Sequence, residues 1–236
     1  MTAEAREGAT APTGSPTAWR RRLRRGAGAA GLALGLLFAV SSTAAARQQP
    51  APGQADAVER GASPAVQRLK SWVLETGDHQ GLPFVLIDKV NAQVFAFNRD
   101  GRLLGATPVL LGLARGDIAP PDIGDRPLSA IAPEERITPS GRFVASTGEN
   151  LSGKSILWID YAGALSLHPV VTARPADRRL QRLTTPTSED NRISYGCVNV
   201  PAAFYEEIIA PAFRDTAGIV YILPEDISIA EAFPGA

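Results

Sequence analysis

From Leu82 onward, apolar residues recur at every second position in short runs, which is the pattern of β-strands. Turn signals separate the runs, as at Asn98-Arg99-Asp100-Gly101. Strands are predicted over residues 84–87, 94–97, 103–104, 109–112, 142–145, 155–161, 164–168 and 218–223. Residues 198–200 are expected to form a short strand or a turn. The chain is therefore expected to fold into a mostly β domain, and its sequence shows no internal repeat.

One or two helices are expected beside these strands. Ser63 is the predicted N-cap of the first helix, with Pro64 in its first turn and Gly77 at its end. The apolar side chains that recur at helical spacing, and should form its buried face, are Val66, Leu69, Trp72 and Val73. A second helix is predicted over residues 204–209, after Pro201.

Residues 1–46 are predicted to form an export signal. Five arginines between Arg20 and Arg25 precede an uncharged run over residues 26–46, which ends in three alanines. This order is typical of a secretory signal peptide, here cleaved after Ala46, and it indicates a periplasmic or cell-wall-facing protein. An uncleaved N-terminal membrane anchor is the alternative, because the uncharged run approaches the length that spans a bilayer.

The rest of the chain is interpreted as one domain with flanking segments. Residues 47–63 are rich in Gln, Ala, Pro and Gly and are predicted to be a linker. Residues 64–81 are the N-terminal helix and lead-in, 82–224 the folded domain, and 225–236 a C-terminal tail. Residues 47–236 carry 18 basic and 22 acidic residues, which argues against nucleic-acid binding. We expect a monomer that meets a membrane only through an uncleaved N-terminal segment.

Cys197 is the only cysteine of the chain. A lone thiol in an exported protein cannot form an internal disulfide, so it is either a nucleophile or a small buried residue. A nucleophile needs a base, and the chain has two histidines. His168 ends a predicted strand and is the better-placed partner, whereas His79 lies in a polar stretch. With so few soft ligands, no metal site is expected, and no cofactor is implied.

Four motifs follow one another between residues 82 and 224. They are Leu111-Gly112, Thr138-Pro139-Ser140-Gly141-Arg142-Phe143, a strand that ends in His168, and Ser194-Tyr195-Gly196-Cys197-Val198-Asn199. In composition and order they resemble the YkuD-type L,D-transpeptidase catalytic domain. The resemblance implies a YkuD-like β-sandwich and an enzyme of cell wall biogenesis and cell shape. It would join peptidoglycan stem peptides through a cysteine thioester, releasing D-Ala and transferring the acyl group to an amine. The alternatives are an L,D-carboxypeptidase or endopeptidase, and a catalytically weak peptidoglycan-binding domain of the same fold.

The resemblance also implies the roles of single residues. Cys197 would be the nucleophile and His168 its base, with the imidazole oriented by the backbone carbonyl of Pro169. Backbone N–H groups near Gly196 and Cys197 would receive the oxyanion. Ser194 and Asn199 would hold the loop by hydrogen bonds and line the substrate site, together with Tyr195. Arg192 is added to the substrate-binding residues only because of its position beside the motif.

The chain departs from the family pattern at two places. Tyr195 stands where the family has a histidine, and a tyrosine can donate a hydrogen bond but cannot act as a base near neutral pH. The segment 172–191, with Arg174, Arg178, Arg179 and Arg182, lengthens the spacing between His168 and Cys197. It is either a lid that meets substrate carboxylates or a solvated loop. Arg192, beside the motif, is predicted to bind a carboxylate. The Pro- and Gly-rich loop over residues 114–136 is either a lid or a flexible insertion.

Overall fold

A computed structural model describes Val58 and residues 61–236, so the predicted signal peptide and most of the predicted linker lie outside the described residues. The strands are β1 Phe84–Asp88, β2 Gln93–Phe97, β3 Leu103–Pro108, β4 Leu111–Gly112, β5 Gly141–Glu149, β6 Ser155–Asp160, β7 Leu165–Pro169, β8 Arg192–Ser194, β9 Val198–Val200 and β10 Gly218–Ile222. The α-helices are α1 Pro64–Thr76, α2 Arg179–Arg182, α3 Ala202–Phe204, α4 Ala210–Ala212 and α5 Ile229–Ala232. The predicted mostly β fold is confirmed. In this part of the chain, no helix has the length and apolar character needed to span a bilayer.

Eight of the strands form one sheet in the order β3-β2-β1-β10-β5-β6-β7-β9, and β4 pairs separately with β8. The pairs β1–β10, β7–β9 and β4–β8 are parallel, and the remaining pairs are antiparallel. Because β10 lies between β1 and β5, it joins the two halves of the sheet. The parallel pairing of β7 with β9 carries the predicted base and the predicted nucleophile to one edge of the sheet.

The sheet buries apolar side chains on both faces. Helix α1 covers one face, where Val66, Leu69 and Val73 share a cluster with Phe84 and Tyr221. On the other face, one buried cluster takes members from both halves of the sheet, among them Val85, Ile87, Leu157, Leu167 and Val198. Strand β1 is therefore buried at all five positions, which explains why its sequence is a continuous apolar run with a single terminal aspartate.

The start of helix α1 is held by Ser63, as predicted. The Ser63 hydroxyl oxygen accepts a hydrogen bond from the Val66 backbone N–H at 3.3 Å and donates one to Asp88 Oδ2 at 2.6 Å. Gly77 ends the helix with a φ of 69°, in the left-handed region that glycine adopts without strain. One hydroxyl thus caps the helix and ties it to the end of β1.

Replacing Ser63 by alanine should therefore lower the free energy of unfolding by about 1–2 kcal/mol, the usual effect of removing a capping hydroxyl. Urea denaturation of the purified protein would measure it. Ser152→Ala, at an exposed turn, is the matched control and should leave the midpoint unchanged within error. Equal midpoints for the two variants would contradict the assigned capping role.

Three segments differ from their predicted form. Of the run 109–112, only Leu111–Gly112 pairs as a strand, because Leu110 instead exchanges two backbone hydrogen bonds of 2.9 Å with Asn199. Strand β8 was not predicted, since its three residues carry no alternating pattern. Residues 225–236 were expected to be a tail, yet they include α5, and Phe233 is buried in the cluster beneath α1.

His79 lies in a polar stretch of the sequence, yet its side chain is buried. Its ring is buried against Phe84, with the ring centroids 5.3 Å apart. The imidazole nitrogens lie 3.3 Å from the Val73 carbonyl oxygen and 3.0 Å from that of Arg99. His79 therefore ties helix α1 to the turn after β2, and its role is structural.

Candidate active site

Cys197 lies in the turn between β8 and β9, and the register of β9 places it near His168. Val198 pairs with Leu167, and Asn199 pairs with His168, in the parallel ladder of β7 and β9. Paired residues of a parallel ladder lie side by side, so Cys197, which precedes Val198, is level with Ser166 in the first half of β7, two residues before His168. The predicted nucleophile and the predicted base are therefore brought together across about 30 residues of chain.

Cys197 is a partly exposed residue, and its thiol lies among polar groups. Its Sγ is 3.5 Å from the hydroxyl of Ser166, which donates to it, and 3.5 Å from the backbone oxygen of Ala164. Burial acts to raise the pKa of the Cys197 thiol, but the hydrogen bond and the charge of His168, with smaller contributions from Ser166, outweigh it and lower the pKa. This environment favours a reactive thiolate.

The imidazole of His168 is oriented by two hydrogen bonds. Its Nδ1 lies 2.8 Å from the carbonyl oxygen of Pro169, which only an N–H can satisfy, so Nδ1 carries the proton. Its Nε2 lies 3.1 Å from the side-chain nitrogen of Asn199 and therefore accepts from that amide. Burial acts to lower the pKa of His168, but the hydrogen bond and charge of Cys197, helped by Pro169, outweigh it and raise the pKa. The neutral ring thus has the tautomer that a base of a thiol requires.

Ser194 and Gly196 shape the loop that carries the thiol. The Ser194 hydroxyl donates to the Cys197 carbonyl oxygen at 2.6 Å and accepts from the Gly196 N–H at 3.1 Å. Gly196 has a φ of 126°, and a Cβ there would lie 2.8 Å from the carbonyl oxygen of Ile137, so only glycine fits. The Gly196 N–H was expected to receive the oxyanion, but it is bonded to Ser194. The N–H of Cys197 is therefore the candidate oxyanion donor that remains.

A single buried hydroxyl joins three of the motifs that sequence analysis found separately. Thr138 Oγ1 donates to the Gly196 carbonyl oxygen at 2.7 Å and accepts from the Gly112 N–H at 2.8 Å. The side chain of Thr138 is fully buried, and Gly112 leaves no room for a Cβ beside the backbone of Arg136 and Thr138. In the sequence, Thr138 is recognisable only as part of a motif, and nothing there indicates its contacts. Its hydroxyl sets the position of the Cys197 loop relative to β4.

Arg192 was predicted to bind a substrate carboxylate, and the structure contradicts this. Its guanidinium donates to both carboxylate oxygens of Glu225, at 3.1 and 2.6 Å, and to the Lys89 carbonyl oxygen at 3.0 Å. The Arg192 and Glu225 side chains are almost completely buried. Because its charge is paired with Glu225 in this bidentate way and its side chain is buried, Arg192 is a structural residue of β8.

The loop 114–136 is packed against the domain. Asp117 accepts hydrogen bonds from Lys89 Nζ at 2.6 Å and from the backbone N–H groups of residues 225–227. Burial acts to raise the pKa of Asp117, but these hydrogen bonds outweigh it and lower the pKa to about 2. Ile123 and Ile131 are buried, and a Cβ at Gly124 would overlap the carbonyl of Ala162. The loop therefore forms a wall beside the β6–β7 turn that contacts Cys197.

Tyr195 lies beneath Arg136, the last residue of that loop. The Cζ atom of Arg136 is 4.1 Å from the centroid of the Tyr195 ring, which is a cation–π distance. Two nitrogens of the same guanidinium donate to the Ile131 carbonyl oxygen, at 3.2 and 3.0 Å. Tyr195 thus holds a positive charge next to the loop of the candidate nucleophile.

The segment 172–191 folds onto the site instead of extending into solvent. Arg179 Nη1 donates to Asn199 Oδ1 at 2.9 Å, and Arg182 donates to the carbonyl oxygens of Asp177 and Asp190. Arg174 and Arg178 are exposed. Sequence analysis could not single out Arg179, because four arginines lie close together and only the docked α2 helix shows which one reaches Asn199.

Comparisons with known proteins were made for the whole chain. No protein-family model matches it, and no curated protein matches it. Among solved structures, the chain is similar to the catalytic domain of an L,D-transpeptidase from E. faecium, with 17% identity and a TM-score of 0.35, over 59% of this chain and 95% of that one. It is also similar to the helical cell shape determining protein Pgp2 from Campylobacter jejuni, with 15% identity and a TM-score of 0.38, over 62% of this chain and 49% of that one. A point mutant of Pgp2 matches with 14% identity, a TM-score of 0.39 and coverage of 70% and 58%. The chain thus spans about half the length of the Pgp2 chains, and likeness at this level carries no argument about activity.

Proposed function

We propose that this protein is an exported L,D-transpeptidase, an acyltransferase that acts on peptidoglycan stem peptides through Cys197. The observation that best supports the proposal is the arrangement of His168. Its Nδ1–H is fixed on the Pro169 carbonyl oxygen at 2.8 Å, and the thiol of Cys197 and the imidazole shift each other's pKa toward the ion pair. A thiol beside an oriented imidazole base is the arrangement that nucleophilic attack on an amide requires.

Acylation follows from these groups. Nε2 of His168 takes the thiol proton, and Sγ of Cys197 attacks the carbonyl carbon of the diaminopimelate residue in the donor stem. The N–H of Cys197 donates to the oxyanion. The bond to D-Ala then breaks, a thioester forms, and the proton on His168 passes to the departing amine.

Transfer reverses the proton movement. The side-chain amine of a second stem attacks the thioester and gives a proton to Nε2 of His168. The carbon–sulfur bond breaks, a new amide forms, and the thiolate of Cys197 is regenerated. Water in place of the amine would give an L,D-carboxypeptidase by the same steps, so the acceptor alone separates these two activities.

Tyr195 has no base role in this proposal, because a phenol takes up no proton near neutral pH. Its contact with Arg136 instead places a cation beside the Cys197 loop. We assign this pair to the stem-peptide side of the site, where a guanidinium can meet a substrate carboxylate. The assignment replaces the carboxylate-binding role that was expected of Arg192.

Carbapenems acylate the active-site cysteine of L,D-transpeptidases and therefore test the nucleophile directly. Intact-mass spectrometry should show one covalent adduct per protein molecule, and Cys197→Ala should show none. With tetrapeptide muropeptides, the protein should release D-Ala and form cross-linked dimers, whereas a carboxypeptidase would give only tripeptides. A folded protein that forms neither adduct nor product would contradict the proposed activity and favour a peptidoglycan-binding domain.

A further inference from the structure

We propose that Arg179 is a positioning residue that fixes the orientation of the Asn199 amide and thereby restrains proton transfer from Cys197 to His168. The inference rests on the proposed function, since it concerns the same thiol and base. Arg179 lies in the segment 172–191, which lengthens the chain between them. The segment 172–191 would therefore make it harder for the Cys197 thiol to lose its proton to His168.

The two neighbours of the Asn199 amide, Arg179 and His168, determine which way round the amide lies. A guanidinium has only donors, so Arg179 Nη1, at 2.9 Å, must meet the oxygen of the Asn199 amide. The amide nitrogen is then directed to Nε2 of His168, at 3.1 Å. Nε2 must accept this hydrogen bond, which agrees with the proton on Nδ1 that Pro169 requires.

The second step is what happens when His168 takes the thiol proton. An N–H at Nε2 would then face the N–H2 group of Asn199, donor against donor. Rotating the amide by half a turn would relieve this contact, but it would place the N–H2 group against Arg179, again donor against donor. The imidazolium form of His168 and the present Arg179 contact therefore cannot both be satisfied.

The third step is that Arg179 is held firmly. Its Nε donates to Asp177 Oδ2 at 3.0 Å, and its side chain is only 17% exposed. Arg182 anchors the same turn through the carbonyl oxygens of Asp177 and Asp190, without touching Asn199. Arg182 is thus a matched control that stabilises the segment but not the amide.

The charges around His168 act in the same direction. Burial acts to lower the pKa of His168, the Cys197 thiolate and the Pro169 carbonyl act to raise it, and the positive charge of Arg179 acts to lower it. Asp177 partly neutralises that charge through its ion pair with Arg179. Removing Arg179 should therefore favour the imidazolium form through both the hydrogen bonds and the charge.

The test is an NMR titration of His168 in a Cys197→Ala background, where no thiolate contributes. The chain has two histidines, so His168→Ala identifies the signal. Arg179→Met should raise the titration midpoint by about half a pH unit or more. Arg179→Lys, which keeps a donor and the charge, should restore most of the original midpoint, and Arg182→Met should leave it unchanged. An unchanged midpoint in Arg179→Met, or equal shifts in Arg179→Met and Arg182→Met, would overturn the proposal.

A double-mutant cycle tests the route through Asn199. In an Asn199→Ala background, Arg179→Met should shift the midpoint by much less, because no amide remains to be oriented. A shift of full size would mean that Arg179 acts through its charge alone, which overturns the assigned positioning role. These readings need no catalysis, so they stay informative if the protein proves not to be a transpeptidase.

The same variants have a second readout with Cys197 in place. At pH 6, Arg179→Met should be alkylated by iodoacetamide about threefold faster than the unmodified protein, because more of the thiol is ionised. An equal or lower alkylation rate would contradict the proposal that Arg179 restrains ionisation of the Cys197 thiol. If His168→Ala instead leaves the alkylation rate of the otherwise unmodified protein unchanged, the proposed function itself fails, and the two failures are distinguished.

Discussion

Replacing His168 by alanine should lower the rate of Cys197 acylation about 100-fold or more, the usual range for loss of a general base. The physical reason lies in the paired pKa shifts. His168 lowers the pKa of the Cys197 thiol, so the unmodified protein keeps a thiolate to lower pH than a free cysteine does. Without the imidazole, burial acts to raise the pKa of the thiol and only the smaller contributions of Ser166 oppose it.

Because the pKa of the Cys197 thiol should rise in His168→Ala, the pH profile of its alkylation is the measurement to make. The iodoacetamide rate of His168→Ala should fall most at pH 6, and its midpoint should move above the ordinary cysteine value of about 8.5. The rates should converge at high pH, where the thiol is ionised in both proteins. His79→Ala removes the other histidine and serves as control, since it changes stability and not the thiol. Identical pH profiles for His168→Ala and the unmodified protein would exclude His168 as the base that ionises Cys197.

Replacing Thr138 by valine should lower the free energy of unfolding by about 3 kcal/mol. The substitution nearly keeps the shape but removes the hydroxyl that donates to the Gly196 carbonyl and accepts from the Gly112 N–H. Both backbone groups are buried, and each one left unpaired costs about 1–3 kcal/mol. Urea denaturation would measure the loss. The carbapenem reaction should slow as well, because the Cys197 loop loses its tie to β4.

Thr147→Val is the matched control for Thr138→Val. Thr147 lies exposed on β5, where valine suits a strand equally well, so its unfolding midpoint should stay within error of the original. If Thr138→Val were as stable as Thr147→Val, the buried hydroxyl would not hold the loop, and the meeting of the three motifs at Thr138 would have no energetic weight.

The sequence predicts the frame of this fold well, because alternation is a local property. Strands such as β1, β2 and β10 were found within a residue or two of their bounds, and the cap at Ser63 was found as well. The short strand β4 was predicted two residues too long and β8 was missed, since two or three residues cannot display a period.

The candidate site was predictable where chemistry alone selects a residue. A lone cysteine and a histidine at the end of a strand define the pair of Cys197 and His168. Contacts between distant segments were not predictable. Arg192 was predicted to bind a substrate carboxylate because it is close to the motif in sequence. Its actual partner, Glu225, lies 33 positions further along the chain. Arg179 needed the docked segment before its contact with Asn199 could be seen.

The central position of β10 in the sheet has a consequence for how the chain folds during synthesis. Phe84 of β1 pairs with Ile219 of β10, and Val144 of β5 pairs with the same residue from the other side. A growing chain that has not yet delivered residues 218–222 therefore leaves β1 and β5 with open edges, which invite pairing with other chains. Because the two halves of the sheet can pair only after residues 218–222 are made, folding is expected to be slow. Until then, the nascent chain needs protection from association with other chains.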